Sequence, residues 1–482
     1  MISKDMKNNG IIKNFFWRFA ERCGAQLVTL IVSIVLARIL SPSDYGTVSL
    51  VMVFTTIMQV FVDSGLGTAL IQKKDADDLD FSSVFYFNLA MCLVLYAGMF
   101  VAAPYIAKFY SDNSLVSVIR AISLTIIISG VKGIQQSYVS RNMLFKRFFF
   151  ATLGGTIFSA FLGIGMAYAG CGVWSIVMQQ LSNSAIDTLI LWITVKWRPK
   201  KVFSWERLKR LLSYGWKLLV SSILDTVYNN LRNLIIGKMY TSADLAYYNQ
   251  GDKFPKVIVT NINASIDSVL LPSMAGEQEH AERVKSMTRR AIKTSTYIMA
   301  PLMMGLLFCA EPIVKLLLTE KWLPCVPYLR IFCFTYMFWP IHTANLNAIK
   351  AMGRSDLFLS LEIIKKAMGL TLLMFTMRIS VMAMAYSLIV SGILSQIINS
   401  WPNWKLLDYN YLEQLRDILP SIIIATSMGI CVYFIGSLPL PIIITLPIQI
   451  FAGAAIYITA SAILKLEEFE YLLGIVKSFY KR

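Results

Sequence analysis

Charged and amide side chains recur at helical spacing inside long apolar stretches of this 482-residue chain, an arrangement suited to holding an anion in a watery cleft. Arg18, Glu21, Arg22, Gln26, Thr29 and Ser33 fall in one stretch, and Arg18, Arg22, Thr29 and Ser33 follow the i, i+4, i+11, i+15 spacing of a single helical face. Asp225, Asn229, Arg232 and Asn233 form a second stripe, and Lys256, Thr260, Asn263 and Asp267 a third. Arg120 and Lys132 share another stretch, with Gln135 and Gln136 one turn beyond Lys132, and Glu362 stands four residues before Lys366, the spacing of a helical ion pair. Ionisable groups in hydrocarbon are costly unless paired or hydrated, so each is a candidate for function.

Cations outnumber carboxylates in these stretches, and a diphosphate is a natural counterpart for Arg. Arg18, Arg22, Lys132, Arg232 and Lys256 are therefore the candidate cationic contacts for a negatively charged substrate. Asp225 and Asp267 are candidates for coupling to H+ or Na+, and Asn229 and Asn263 for the polar wall of the same cavity. A plainer alternative stands beside each: Asp225 or Asp267 neutralises Arg232 or Lys256 across packed helices, and Arg18 snorkels to the membrane interface.

Enzymatic signals are weak. His280 and His342 are isolated, and the seven cysteines (Cys23, Cys92, Cys171, Cys309, Cys325, Cys333 and Cys431) show no CxxC spacing, so they read as small apolar residues and not as a metal site or a disulfide framework. The acidic run DADDLD at Asp75 to Asp80 holds the DxD spacing with which some glycosyltransferases bind a metal and a nucleotide sugar. Beside Lys73 and Lys74 in a short connector, it reads as a solvated loop. No loop is long enough for a soluble catalytic domain. No catalytic residue, metal or resident cofactor is expected.

The elements that carry these residues are apolar segments of the ~20-residue length that crosses a bilayer as a helix. Fourteen are expected, at about 15–40, 45–66, 83–106, 116–138, 148–169, 172–195, 213–237, 254–275, 294–318, 324–349, 357–377, 379–401, 418–436 and 441–464. Composition agrees: 56% of residues are hydrophobic and 15% charged, against roughly a quarter charged in a soluble domain. The mean hydropathy is +0.60. The formal net charge of +17 raises the question of nucleic acid. Yet 28 of the 45 Lys and Arg collect in both tails and in alternate loops, above all 196–212, while the loops facing the other way hold six, Arg38, Lys108, Lys238, Lys315, Lys321 and Arg378, and the other 11 lie in or at the ends of the apolar stretches. That is the positive-inside pattern of a membrane protein with both termini in the cytoplasm, and it leaves no nucleic-acid footprint. The first apolar segment is too long, and lacks the small-residue cleavage site, for a secretory signal.

The basic connector 196–212 follows the sixth span, and a weak repeat at an offset of 200 flanks it. ARILSPSDYG from Ala37 aligns with GKMYTSADLA from Gly237, which places Asp44 on Asp244, Arg38 on Lys238 and Phe54 on Phe254. Two parallel six-helix repeats follow from this, the arrangement of many secondary transporters. The expected organisation is an N-terminal lobe over 1–200, a C-terminal lobe over 213–402, and two further transmembrane helices with a cytoplasmic tail over 403–482.

Several strings carry a resemblance: LARILSPSDYG from Leu36, DSGLGTALIQKKD from Asp63, GCGVWSIVMQQL from Gly170, SYGWKLLVSSILDTVYNNL from Ser213, DLAYYNQGDKFP from Asp244, EKWLPCVPYLRIF from Glu320 and AMGRSDLFLSLEIIKK from Ala351. Nearly end to end, the chain resembles the Wzx-type polysaccharide flippases, in the superfamily of multidrug exporters, oligosaccharidyl-lipid flippases and polysaccharide exporters. The resemblance implies an all-α polytopic membrane protein with two pseudo-symmetric lobes in a V around a central cavity, plus two extra C-terminal helices. It also implies a flippase that moves a polyprenyl-diphosphate-linked oligosaccharide to the outer leaflet of a bacterial inner membrane by alternating access. Its partners would be the lipid-linked oligosaccharide and the membrane, with the polymerase and glycosyltransferases of the same pathway nearby. The alternatives are a drug or small-cation exporter of the same superfamily, which would favour an anionic cavity, and a polysaccharide polymerase, which would carry a long outer loop with clustered Arg and His.

Overall fold

The computed structural model describes Trp17, Glu21 and residues 24–63, 66–73 and 75–480, and every regular element in them is helical. Along the chain these are α1 (Gly24–Ile39), α2 (Pro42–Asp63), α3 (Leu66–Gln72), α4 (Asp78–Tyr110), α5 (Leu115–Arg141), α6 (Phe145–Tyr168), α7 (Val173–Thr194), α8 (Trp205–Met239) and α9 (Ser242–Ala275). There follow α10 (Ala281–Phe308), α11 (Ala310–Leu317), a 3-10 turn at Glu320–Cys325, α12 (Val326–Met337), α13 (Trp339–Ala351), α14 (Ser355–Thr376), α15 (Val381–Leu407), α16 (Tyr411–Gly436), α17 (Ile442–Ile463) and α18 (Glu467–Tyr480).

Nine described helices are long and apolar enough to cross a membrane. Those that fall short, α7, α8 and α14 among them, are the ones that carry Asp187, Asp225 with Arg232, and Glu362 with Lys365. The span expected at 324–349 is broken between α12 and α13 at Phe338, just ahead of Pro340, where proline removes a helical hydrogen bond. Large apolar side chains point outward, as a lipid-facing surface requires: Phe161 is 77% exposed and Phe451 75%.

Two compact units divide at Ala246/Tyr247, inside α9. The boundary lies later than the expected linker because α8 packs on α2, α3 and α4 of the first unit. In that unit Phe81, Phe85, Ile134, Leu191, Trp197 and Leu208 form one buried cluster. Small residues let the helices close: a methyl added at Gly163 of α6 would stand 2.8 Å from Gln179 Cβ of α7, the close approach that glycine permits between membrane helices. In the second unit Met274, Ile292, Ile341, Ala348 and Ile418 form the corresponding core. Beside it, Asn345 Nδ2 donates to Gln414 Oε1 at 2.7 Å, and Asn403 Nδ2 donates to Asn345 Oδ1 at 2.6 Å, tying α13, α15 and α16 through fully buried amides.

The acidic run is not the solvated loop expected from its composition. Asp77 caps α4, its Oδ1 accepting from the Asp80 N–H at 3.0 Å, and Asp80 is fully buried with Lys73 Nζ at 2.6 Å. From the basic connector, Arg207 places Nη1 2.7 Å from both Asp77 oxygens, Lys200 pairs with Asp78 at 2.6 Å, and the Trp197 indole donates to Asp78 at 3.2 Å. The opposite signs of the two segments are thus spent on each other, clamping the connector to the start of α4. The Arg207 guanidinium, and then the Asp80 N–H, hold the Asp77 carboxyl down at about 2. Because this lies below the unfolded value, the clamp is at full strength above pH ~4 and is lost as pH falls toward the folded value. Arg207→Ala is expected to cost little stability, the pair being solvent-exposed. Cleavage of the 198–204 segment by trypsin should nevertheless rise several-fold, read by limited proteolysis, and an unchanged digestion rate would contradict the clamp.

The repeat at an offset of 200 has a geometric counterpart. Ser41 N and Oγ donate to Asp44 Oδ2 at 3.1 and 2.6 Å, while Asp44 N donates back to Ser41 Oγ at 3.2 Å. Thr241 N and Oγ1 donate to Asp244 Oδ2 at 3.1 and 2.7 Å, and Asp244 N to Thr241 Oγ1 at 3.1 Å. The same reciprocal cap therefore starts α2 and α9. Gly46 lies against the Ser242 backbone, where no Cβ fits.

Candidate functional site

The candidate residues fall into separate environments. Arg18 and Arg22 lie outside the described residues. Lys132 on α5 is held by a carboxylate the sequence reading passed over: its Nζ is 2.6 Å from Asp187 Oδ2 on α7, with the two side chains 21% and 10% exposed. Asp63 at the end of α2 accepts from the Gln59 amide at 3.2 Å. It borders a cavity of about 250 Å³ with Asn88, Gln136 and Ser137.

On α8, Asp225 and Asn229 are exposed and Arg232 is half-buried, so this polar stripe does face away from the packed core. Asp225 and Arg232 both have interaction partners. Arg120 spreads its guanidinium 3.9 Å over the Phe100 ring. Glu362 takes Lys365 at 2.5 Å, and Lys366, the partner expected from i, i+4 spacing, also has an interaction partner.

On α9 the picture differs from the reading of the sequence in one respect. Lys256, 61% exposed, pairs with Asp252 one turn before it at 3.1 Å, and Asp252 also accepts the Tyr336 hydroxyl at 2.6 Å. Lys253, between them and half-buried, makes no hydrogen bond or ion pair among the described residues. The signal was present in the sequence: DKFPK places one carboxylate among two lysines, and one carboxylate neutralises one. Farther along, Asp267 accepts from Asn347 Nδ2 at 2.6 Å, and Asn263 is buried.

The second unit also holds an apolar cavity of about 460 Å³ between α9, α10, α16 and α17, walled by Ile258, Leu302, Met428, Val432, Ile450 and Ile458. His342 shares a hydrogen bond of 2.9 Å with Asn399 and has no acid–base partner among the described residues. Among the described residues no three His, Cys, Asp or Glu gather as metal ligands, and the cysteines are free.

Apolar membrane-length helices interleaved with polar-faced ones define a polytopic α-helical membrane protein. The chain belongs to the polysaccharide biosynthesis protein family, whose model matches residues 35–327. It is 24% identical over 387 residues to the teichuronic acid biosynthesis protein TuaB of Bacillus subtilis, covering 79% of each chain. It is also 22% identical over 420 residues to the lipopolysaccharide biosynthesis protein WzxC of Escherichia coli, covering 83% of this chain and 84% of that one. Among solved structures, the lipid II flippase MurJ in an inward closed conformation superposes with a TM-score of 0.76 at 15% identity, over 93% of this chain and 98% of that one. At that identity the match speaks for the fold. The resemblance to Wzx-type flippases read from the sequence is borne out.

Proposed function

We propose that this protein is a flippase, not an enzyme, which carries a polyprenyl-diphosphate-linked oligosaccharide from the inner to the outer leaflet of a bacterial cytoplasmic membrane by alternating access. Its termini lie in the cytoplasm, where the positive-inside pattern places them. The observation that carries the reading is Lys253: an ammonium in a membrane-length helix with no carboxylate of its own among the described residues, which a diphosphate would neutralise. Lys256 and, on α8, Arg232 add positive charge on the polar faces. Asp267 and Asp225 are the acids available if an ion is coupled to the transport cycle. An inside-negative potential already favours outward movement of a dianion, at ~2.3 kcal/mol per charge per 100 mV.

A polyprenyl tail needs an apolar path, and the cavity beside α16 and α17 offers one. Ala454→Trp, at an exposed position on the wall of this cavity, is expected to lower transport of a long-chain polyprenyl substrate several-fold while sparing a short-prenyl analogue. Equal loss for both would detach the cavity from the tail. The function as a whole is tested by depleting the protein in its host. Lipid-linked oligosaccharide should accumulate, inaccessible to reagents added outside, and surface polysaccharide should disappear. Surface polysaccharide made at the normal rate would refute the reading.

A further inference from the structure

Away from the transport residues, a basin of about 580 Å³ opens between the first turns of α10 and the last described helix, α18. Lys285, Arg289, Arg290 and Lys293 approach it at i, i+4, i+5 and i+8, along one side of α10. Three of the four are occupied. Lys293 Nζ is 2.6 Å from Glu467 and 3.1 Å from Glu468, which docks α18. Arg289 is 2.6 Å from Asp417, and Lys285 pairs more loosely with Asp408 at 3.6 Å. Arg290 stands apart: its guanidinium lies 5.3 Å over the Tyr471 ring and makes no ion pair or hydrogen bond among the described residues. Two turns before it, Glu282 also borders the basin without a partner among the described residues.

The basin sits where a lipid surface ends. Ile463 and Leu464, at the end of α17, are 73% and 61% exposed, as lipid-facing side chains are, and α18 begins three residues later. Tyr471 and Leu473 of α18 are also exposed. On α10 the apolar half of the helix begins at Tyr297, one turn beyond Lys293. The free guanidinium is therefore level with phospholipid headgroups, where Arg presents a fork that matches phosphate oxygens and cannot be neutralised by losing a proton.

We propose that this basin is a phospholipid site, in which Arg290, with Lys285 and Ser286 beside it, holds the headgroup phosphate, and Glu282 receives the ammonium of an ethanolamine headgroup. A free cation and a free carboxylate in one basin match a zwitterion that carries both charges. Glu282 and Arg290 are ~12 Å apart along the axis at 1.5 Å per residue. Both side chains lean back toward the N-terminus, and the longer Arg reaches farther, which narrows that gap.

The test is native mass spectrometry of the full chain released from nanodiscs of equimolar phosphatidylethanolamine, phosphatidylglycerol and phosphatidylcholine, with circular dichroism and gel filtration confirming that each variant is folded. Wild type should retain phosphatidylethanolamine at least twofold over the other two. Arg290→Gln should lower retention of all three by ~10-fold, the loss of one charge-assisted phosphate contact. Glu282→Gln should remove the preference for ethanolamine and leave phosphate binding intact. Unchanged retention in Arg290→Gln would overturn the site, and a preference for phosphatidylglycerol that Glu282→Gln leaves unaltered would overturn the ethanolamine assignment. Thermal protection by glycerophosphoethanolamine equal to that by the intact lipid would overturn the membrane as the source.

Discussion

Lys253→Met is expected to abolish most transport of a polyprenyl-diphosphate sugar, by tenfold or more, while the protein folds and accumulates at wild-type levels. The reasoning starts from what the substitution removes. Lys253 has no ion pair or hydrogen bond among the described residues, so no partner is stranded when it goes, and removing an uncompensated ammonium from a membrane helix relieves a desolvation penalty. Stability should hold or rise. With diphosphate bound, the same ammonium makes a charge-assisted contact of about 1.5–3 kcal/mol, and every 1.4 kcal/mol is tenfold in affinity. Lys253→Arg should keep most of the activity, because charge and reach survive. Lys256→Met should cost less, since Asp252 already holds that lysine at 3.1 Å. Transport measured at several substrate concentrations separates the variants: the Lys253 effect should fall mainly on apparent affinity. A Lys253→Met protein with wild-type transport would remove Lys253 from the site.

The second large effect concerns stability. Asp187→Leu is expected to destabilise the N-terminal unit by roughly 3–5 kcal/mol, because Lys132 would be left inside the helix packing without its carboxylate. Lys132→Met with Asp187→Leu should recover most of that loss, as a buried pair replaced by apolar side chains of similar volume is often neutral or better. The double variant also separates two roles for Lys132. If the lysine only balances Asp187, the double variant transports normally. If it touches substrate, stability returns and transport does not. Thermal unfolding in detergent and vesicle transport, measured on wild type, Asp187→Leu and the double variant, give both answers, and a double variant no more stable than Asp187→Leu would show that the pair is not what the single change breaks.

Much of the architecture was legible because its causes are local in sequence. A ~20-residue apolar stretch has few alternatives to a membrane helix, and an Asp three residues after Ser or Thr at a helix start forms the same cap wherever it occurs. The Ser41–Asp44 and Thr241–Asp244 turns, 200 residues apart, therefore share one cap geometry in spite of little identity. Partners across helices were not legible. Spacing along α5 marks Lys132 as polar on one face, but nothing in 116–138 indicates that Asp187 of α7 will stand opposite. The DADDLD run failed for the same reason, since its carboxylates are answered by Arg207 and Lys200 more than a hundred residues on. Lys253 was legible as arithmetic, two lysines around Asp252, and was missed because stripes were sought by spacing alone. Arg18 and Arg22, strong by spacing, lie outside the described residues.

The central claim is that the cationic polar faces serve an anionic lipid-linked sugar. Proteoliposomes holding the purified protein, loaded on one leaflet with a radiolabelled polyprenyl-diphosphate oligosaccharide, test it most directly, with a cationic dye run in parallel. The account predicts that the lipid-linked sugar becomes accessible on the opposite leaflet at a rate that depends on Lys253, while the dye stays where it was placed. Movement of the dye, with the lipid-linked sugar left in its original leaflet, would contradict it.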